Sequence, residues 1–233
     1  MKAVIVKEYG GPEVMLYEDA DMPTIGAGDV LVKVEAAGIN FIDTYQRSGL
    51  YPVPLPVTLG LEAAGTVAEI GADVTHFNEG DRVAYTSVAG AYAEYAAVPE
   101  EKLVNLPDGI SFNEGAAAML QGCTAHYLSQ SPYPIKNGDS CLIHAAAGGV
   151  GHILSQWAKH LGATVIGTGR DQTRLMELDG EVDLALTMDV TDATSVEIAA
   201  ATVLDRHGPI DVLINNAGVG LFAPVMDTPE EAL

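Results

Sequence analysis

A glycine-rich turn between a predicted strand and a predicted helix constrains the fold of this chain more than any other feature. The segment CLIHAAAGGVG runs from Cys141 to Gly151; apolar periodicity predicts a strand over 140–146 and a helix over 150–160, and a second strand over 164–168. In such a unit the amides and dipole of the helix N-terminus attract phosphate. The turn therefore predicts a nucleotide-binding βαβ unit, with a tight turn that binds nothing as the alternative for the glycines alone.

The residues of this turn have separate expected roles. Gly148 and Gly149 would let the backbone approach a pyrophosphate, and Gly151 would let the helix pack closely on the sheet. The candidate contacts to the pyrophosphate are Ala147, Gly148, Gly149 and Val150.

Beyond this unit, predicted strands and helices continue to alternate. Helices are predicted over 171–178 and 195–206, and strands over 184–190 and 212–216. Such alternation predicts an α/β fold with a parallel, doubly wound sheet and right-handed crossovers.

The first 124 residues follow a different pattern. They contain short runs of β-forming residues separated by Gly and Pro turns, which predict a small β-barrel or sandwich. A helix opened by a Ser cap, with an acid three residues on, is predicted over 111–130. We therefore expect two domains, a β-rich one over 1–124 and an α/β one over 125–233. The predicted strands of the first lie at 3–6, 30–36, 65–70, 82–86 and 92–98.

The acidic composition excludes some classes of partner. A formal net charge of −21 repels nucleic acids and anionic membranes. No apolar run is long enough to span a bilayer. The two cysteines, Cys123 and Cys141, are too few for a disulfide framework or a four-thiolate zinc site. We expect a cytoplasmic protein with no nucleic-acid or membrane partner.

The residues that follow the second strand of the βαβ unit indicate which dinucleotide is bound. An acid at this place typically bonds the ribose 2′-hydroxyl of NAD, whereas arginine suits the 2′-phosphate of NADP. Here Thr168 ends the strand, Arg170 follows, and Arg174 lies one helical turn further on. The alternatives are Asp171 at the ribose, or Arg174 paired with Asp171 or Glu177. We expect NADPH as the cofactor.

Seven stretches of the first 170 residues, which occur in order, carry a family resemblance. Together they resemble zinc-free quinone oxidoreductases of the medium-chain dehydrogenase/reductase superfamily. The resemblance implies a GroES-like β-rich catalytic domain followed by a Rossmann domain, with the active site in the cleft between them. The stretches are GGPEVM (10–15), AAGINFIDTYQRSGLY (36–51), LGLEAAGTV (59–67), GDRVAY (80–85), GAYAEYAAVP (90–99), QGCTAHYL (121–128) and HAAAGGVGHILSQWAKHLGATVIGT (144–168).

The same resemblance predicts that no metal takes part. Zinc-dependent relatives place a cysteine, a histidine and a second cysteine at positions that match Asn40, Leu61 (beside Glu62) and Leu120. Two leucines and an amide do not form a catalytic zinc site, which needs three N, S or O donors. We therefore expect the hydride acceptor to be activated without a metal.

The resemblance also implies which side chains line the catalytic site. Asn40, Asp43, Tyr45 and Tyr51 lie beside the nicotinamide, and Thr124 reaches its carboxamide from the other domain. A quinone accepts hydride readily, so positioning and a donor for the developing oxyanion suffice. A tyrosine hydroxyl or the Asn40 amide is the expected donor. The alternatives are a loop residue in an awkward backbone conformation for Asn40 and rim packing for the tyrosines.

The tail from about residue 171 carries a second resemblance. Its DVTD segment includes Asp189 and Val190, and its NNAG segment includes Asn216, Ala217 and Gly218. Both segments resemble those of short-chain dehydrogenases/reductases, where the first meets the adenine and the second holds backbone near the cofactor. Because the two superfamilies share a Rossmann core, we expect a partial Rossmann sheet with strand order 3-2-1-4.

The join of the two resemblances indicates a chimera or a truncated chain. The catalytic serine and Tyr-x-x-x-Lys of the short-chain family would lie beyond the NNAG segment, as would the later Rossmann strands of the medium-chain family. An uncovered fourth-strand edge then favours a homodimer. The leading hypothesis for function is NADPH-dependent reduction of a quinone. Reduction of an enone, and a nucleotide-binding module without catalytic activity, are the alternatives.

Overall fold

The computed structural model describes residues 1–218, which divide into two compact units. Unit 1 is Met1–Leu120, and unit 2 comprises residues 121–218. The division falls inside a single long helix, so each unit contains part of that helix.

Unit 1 is built mainly from antiparallel strands, as its short β-runs predict. A five-stranded sheet has the order β7-β3-β5-β6-β8, and a three-stranded sheet has the order β2-β1-β4. The strands are β1 (Lys2–Val6), β2 (Met15–Asp19), β3 (Asp29–Ala37), β4 (Val57–Thr58), β5 (Glu62–Ile70), β6 (Arg82–Thr86), β7 (Tyr95–Pro99) and β8 (Leu103–Asn105).

Alternation along the strands places the core of unit 1. Val30 and Val32 of β3, like Val83 and Tyr85 of β6, are alternate residues that share a face of the sheet and are buried. The core therefore lies on the face that these residues share.

One helix of unit 1 was missed by the sequence analysis. Helix α1 spans Phe41–Ser48, and Asp43 is its one buried residue. Phe41 is 81% exposed, and the eight residues of the helix are fewer than the window over which helical periodicity is recognised. Strand β2 was also missed, and four of its five residues are exposed.

Helix α2 (Phe112–Gln130) confirms the predicted cap. Ser111 N donates to Glu114 Oε2 at 2.8 Å, and Glu114 N donates to Ser111 Oγ at 3.2 Å, which is a reciprocal capping box. In residues 1–218 no helix has the length and apolar character needed to cross a membrane.

Unit 2 is a four-stranded parallel sheet of order β11-β10-β9-β12, so the predicted α/β fold and strand order 3-2-1-4 are confirmed. Buried residues of β9 and β10 form its core with the inner face of α3. The elements are β9 (Ser140–Ile143), α3 (Gly149–His160), β10 (Thr164–Gly169), α4 (Gln172–Met176), β11 (Leu184–Thr187), α5 (Ala193–Arg206) and β12 (Val212–Ile214).

Three strands of unit 2 end earlier than predicted. The predictions ran to residues 146, 190 and 216, whereas the strands end at Ile143, Thr187 and Ile214. After β9 the chain turns, because Ala145 has a φ of 49°, which lies in the left-handed region and ends a strand. The residues beyond these ends are therefore loop residues at the carboxyl edge of the sheet, where ligands bind in open α/β folds.

Candidate functional site

The turn after β9 brings the start of α3 against the end of that strand. A Cβ built on Gly151 would lie 2.1 Å from Ala145 O and 2.8 Å from Ala146 Cα. Such distances are far inside van der Waals contact, so glycine is required where the helix crosses the turn. The expected role of Gly151 in close packing is consistent with this geometry.

The predicted pyrophosphate contacts lie at the N-terminus of α3. Gly148 is the N-cap residue in an extended conformation, and Gly149 opens the helix and is exposed. Ala147 and Val150 are half-buried on either side. The first amides of a helix have no acceptor within it and carry the positive end of the dipole. This arrangement can bind an anionic group.

The side chain of Gln121 lies directly over Gly149. A Cβ at Gly149 would approach Gln121 Oε1 to 2.3 Å. The absence of a side chain at this position therefore leaves room for the Gln121 amide, a residue that the sequence analysis did not single out. No local sequence pattern marks this contact, because Gln121 and Gly149 meet only through the packing of α2 on α3.

The end of β10 places Thr168 inside the sheet. Its side chain is buried, and its Oγ1 lies 2.8 Å from His144 Nδ1, while its carbonyl accepts from Ala146 N at 3.0 Å. Burial lowers the pKa of His144, which favours the neutral ring as the partner of this hydroxyl. The structure thus places the Thr168 side chain in the support of the turn.

The two arginines beyond β10 are both exposed. Arg174 Nε lies 3.9 Å from Asp171 Oδ2, a loose ion pair between side chains that are 70% and 58% exposed. Asp171 Oδ1 accepts from Thr173 N at 2.9 Å and Arg174 N at 3.2 Å. Because the Asp171 carboxylate caps α4, its geometry fits a structural role better than contact with a ribose.

The loop after β11 holds Asp189 in a local turn. Asp189 Oδ1 accepts from Thr191 N at 2.9 Å and from Thr191 Oγ1 at 2.8 Å, and Asp189 N donates to Ser195 Oγ at 3.0 Å. The bond from Thr191 N, with the Thr191 hydroxyl and the charge of Arg170, lowers the pKa of Asp189. Val190 is exposed beside it. The turn presents the Val190 side chain at the sheet edge.

The NNAG segment is tied to the end of β9. Asn216 Nδ2 donates to His144 O at 3.2 Å, and His144 N donates to Ile214 O at 3.1 Å. Ala217 is half-buried and Gly218 is exposed. Bonds from an asparagine therefore hold this segment beside the glycine-rich turn, at the same edge of the sheet.

In unit 1 the predicted catalytic residues surround α1. Asn40 is its N-cap residue, in ordinary extended backbone with φ −130° and ψ 156°. The rings of Tyr45 and Tyr51 lie 5.1 Å apart at 51°, and Tyr51 N donates to Tyr45 O at 3.1 Å. The structure thus brings the two tyrosines together and removes the awkward conformation as an explanation for Asn40.

Asp43 is buried at the first turn of α1. Its Oδ2 accepts from Asn40 N at 2.8 Å and from Tyr92 Oη at 2.7 Å. Its Oδ1 is also buried and has no hydrogen-bond partner in the described structure. Burial, with the bond to Asp43, raises the pKa of Tyr92. An unpaired buried carboxylate oxygen has unused capacity to accept a donor.

Glu62, which entered the sequence prediction only as the neighbour of Leu61, has a completely buried side chain. Glu62 Oε1 accepts from Asn40 Nδ2 at 2.8 Å, and Oε2 accepts from Leu120 N at 2.6 Å. Burial raises the pKa of Glu62, opposed by these two bonds and assisted by the charge of Asp43. The available signal was a charged residue in the otherwise apolar run LGLEAAG.

The three positions aligned with zinc ligands do lie near one another in unit 1. Asn40 and Leu120 are joined through the Glu62 carboxylate, next to Leu61. Over residues 1–218 no group of three or more His, Cys, Asp or Glu side chains is arranged to hold a metal ion.

Two further residues lie in unit 2. Thr124 is half-buried on α2, one turn beyond Leu120. Cys141 is buried on β9, and burial raises its pKa to about 11; it is a core thiol.

Two sequence families match this chain in the order of its units. The alcohol dehydrogenase GroES-like domain matches residues 26–108, and the short chain dehydrogenase family matches residues 140–233. The second match confirms the resemblance of the tail and begins earlier than we expected, at β9. Fold and site together define a two-domain protein of the GroES-like and Rossmann-type class.

Individual relatives define the family more closely. Quinone oxidoreductase from Pseudomonas aeruginosa is 53% identical over 169 residues, which is 72% of this chain and 52% of that protein. The structure of Escherichia coli quinone oxidoreductase complexed with NADPH is 38% identical, with TM-score 0.80, and the match covers 87% of this chain and 63% of that one. Coxiella burnetii quinone oxidoreductase is 30% identical, with TM-score 0.83, over 94% of this chain and 69% of that one.

The chain belongs to the quinone oxidoreductases of the medium-chain dehydrogenase/reductase superfamily, as its motifs predicted. It spans about half the length of the curated relatives it matches.

Proposed function

We propose that this chain is an NADPH-dependent quinone reductase that works without a metal. The observation that carries the proposal is the carboxyl edge of the parallel sheet. There the N-terminus of α3, which begins at Gly149, and two exposed arginines beyond β10 would bind two separate phosphate groups. The quinone oxidoreductases that this chain resembles, one of them solved with NADPH, support the same function.

The residues present fit the cofactor. Bound NADPH supplies the hydride that reduces the quinone. The start of α3 would hold the pyrophosphate, Arg170 and Arg174 would pair with the 2′-phosphate, and the loops after β11 and β12 would present backbone and Val190 to the adenosine half. Asp43 would contact the nicotinamide half, because its unpaired Oδ1 has the capacity to accept a hydrogen bond; Thr124 stays a second candidate contact.

The acceptor needs orientation and one donor to its oxygen. The hydroxyls of Tyr45 and Tyr51 and the amide of Asn40 are the groups of unit 1 with this capacity. Asn40 Nδ2 already donates to Glu62, which favours a tyrosine hydroxyl as the main donor. Reduction of an enone in the same site is the alternative outcome of the test below.

The test compares acceptors with purified chain and excess NADPH. We expect loss of reduced-nicotinamide absorbance with a simple para-quinone, a much slower loss with a simple enone, and a reduced kcat in Tyr45→Phe or Tyr51→Phe. Tyr17→Phe is the matched control, because Tyr17 is exposed on β2. Binding of NADPH without turnover of either acceptor would contradict the proposal and leave a nucleotide-binding module. Preference for the enone would replace the substrate class.

Location and assembly belong to the same proposal. The few cysteines, both without a disulfide, support a reducing, cytoplasmic setting. We propose a homodimer, and a monomer mass by light scattering at micromolar concentration would contradict it.

A further inference from the structure

Two acidic side chains of the described chain are buried, and the proposed function uses one of them. Asp43 and Glu62 have 4% and 0% of their surface exposed. Asp43 is among the candidate cofactor contacts, while Glu62 has no assigned role. Burial of a carboxylate opposes its ionisation, and a second carboxylate close by opposes it further. A residue of this kind at the start of a strand is costly and calls for a specific explanation.

We propose that Glu62 is a positioning residue, whose carboxylate fixes the orientation of the Asn40 carboxamide at the site of hydride transfer. The inference rests on the proposed quinone reduction, in which Asn40 is a candidate contact of the acceptor. Glu62 itself does not touch the substrate in this account.

The two ends of the Asn40 carboxamide have opposite roles in hydrogen bonding. An asparagine side chain is nearly symmetric in shape, but one end donates and the other accepts. An ionised carboxylate only accepts, so Glu62 Oε1, 2.8 Å from Asn40 Nδ2, selects the orientation with the nitrogen facing it. The inverted side chain would set two oxygen acceptors against each other. Asn40 Oδ1 is thereby directed away from Glu62.

The backbone before α1 packs closely against the Glu62 side chain. A Cβ at Gly38 would lie 2.1 Å from Glu62 Oε1 and 2.5 Å from Ala116 O. Gly38 N also donates to Glu62 O at 3.1 Å. The segment before α1 therefore lies directly against the carboxylate, and its close approach depends on glycine. This contact leaves the Glu62 side chain little freedom to leave Asn40.

Helix α2 supplies a second hydrogen-bond donor to the Glu62 carboxylate. Leu120 N donates to Glu62 Oε2 at 2.6 Å, although Leu120 lies within the helix. The carboxylate thus binds two donors from two elements, one at each oxygen. Glutamine has the same shape but one acceptor oxygen, so it satisfies only one donor. Because Leu120 N is part of the helix backbone and is the closer donor, we expect Asn40 to lose its bond in Glu62→Gln.

The groups that face Glu62 are few. Asp43 on α1 is the charged neighbour, and Tyr92 reaches Asp43 through its hydroxyl from the segment before β7. The ion pairs of unit 1 that involve lysine lie elsewhere, as in Lys2–Asp19 and Lys33–Glu35. The Asn40 side chain also accepts from the Asp43 backbone N–H in the capping box of α1, and Glu62 binds its nitrogen end.

The experiment uses the full chain and the variant Glu62→Gln, with Glu69→Gln as the matched control on the exposed part of the same strand. The first readout is the side-chain amide spectrum of asparagine-labelled protein, with the Asn40 signals assigned from Asn40→Ala. We expect the Asn40 amide protons to be shifted and protected from exchange in the parent chain and in Glu69→Gln, and to lose both features in Glu62→Gln.

The second readout is quinone reduction with NADPH. We expect kcat of Glu62→Gln to fall on the order of ten- to a hundred-fold because a group near the reaction is misplaced. KM should change little, and Glu62→Gln should remain fully folded at the pH of the assay. If Glu62 had only a structural role, Glu62→Gln would lower stability and activity together. A fall in kcat in a variant that remains folded would contradict that role. Unchanged kcat, or unchanged Asn40 signals, in a folded Glu62→Gln overturns the inference. If the parent chain itself reduces no quinone, the proposed function has failed, and the amide spectrum alone decides whether Glu62 orients Asn40.

Discussion

Buried carboxylates couple the stability of unit 1 to pH at the scale of single residues. Glu62 lies fully buried and close to Asp43, and burial raises its pKa in the folded protein. The folded state therefore holds the Glu62 proton to higher pH than the unfolded state does. By linkage, the free energy of unfolding falls as pH rises from the ordinary pKa of glutamate to the raised one.

Glu62→Gln removes this titration. We expect the difference in unfolding free energy, parent minus variant, to decrease as pH rises through that window, because only the parent must ionise a buried group. Urea denaturation at a series of pH values measures it, with Glu69→Gln as the control that should follow the parent. A difference that is independent of pH, or that grows with pH, would contradict the raised pKa.

The two cysteines should differ strongly in reactivity. Cys123 is exposed, whereas Cys141 is buried with a pKa raised to about 11, so its reactive thiolate is scarce at neutral pH. We expect a maleimide reagent to label one thiol per folded chain rapidly, at Cys123, and the second only on unfolding. Cys123→Ser should abolish the fast phase; fast labelling of Cys141 would show that β9 is not packed as described.

At the scale of elements, the junction of turn and helix at α3 tolerates no side chain. Gly151→Ala would place a Cβ 2.1 Å from Ala145 O, and relieving such a contact with backbone costs about 1–3 kcal/mol. We expect chemical denaturation to show a loss of that order, together with weaker NADPH binding as the helix shifts from the turn.

We expect the opposite effect on stability when a glycine of helix α2 is replaced by alanine. Gly122 lies in α2, where a Cβ would meet no described atom within 4 Å. Gly122→Ala should stabilise the chain by about 0.5–1 kcal/mol, since alanine is the better helix former. If Gly151→Ala and Gly122→Ala had the same effect on stability, the close approach of Gly151 to Ala145 would be contradicted.

Elements with strong periodicity were predictable from sequence, and elements without it were not. Helix α3 has a buried face of Gly151, Leu154, Ser155 and Ala158, so its start was placed within a residue. Helix α1 has eight residues and buries only Asp43, so it is too short for its periodicity to be recognised in the sequence. The end of β9 was predicted too late because the chain turns at Ala145, within a run of small residues that continues the apolar pattern of the strand.

In the candidate site, too, features that are local in sequence were predictable and long-range contacts were not. The glycine-rich turn and the arginines beyond β10 are local in sequence, and the structure places them at one edge of the sheet. The apolar run around Glu62 could mark the residue but not its role, because that role depends on Asn40 and Leu120, which are 22 and 58 residues away. Long-range polar contacts of this type leave no local pattern.

At the scale of the whole molecule, the net charge of −21 affects stability. Self-repulsion disfavours the compact state, and salt shortens its range from about 30 Å at 0.01 M to about 8 Å at 0.15 M. We expect the thermal midpoint to rise by several degrees between these NaCl concentrations. Sucrose at equal osmolarity separates screening from a general solute effect; a midpoint that falls with NaCl would mean that attractive ion pairs dominate.

The central claim, that unit 2 assembles an NADPH site, is tested most directly by titrating the chain with NADPH and with NADH while following nicotinamide fluorescence. The account predicts tighter binding of NADPH, weakened roughly ten- to a hundred-fold by Arg170→Ala with Arg174→Ala as charge-assisted bonds to the 2′-phosphate are lost. NADH binding should be unchanged by that pair, and Arg206→Ala, which alters an exposed arginine at the end of α5, should change neither. Equal binding of the two cofactors, or binding of neither, would contradict the account.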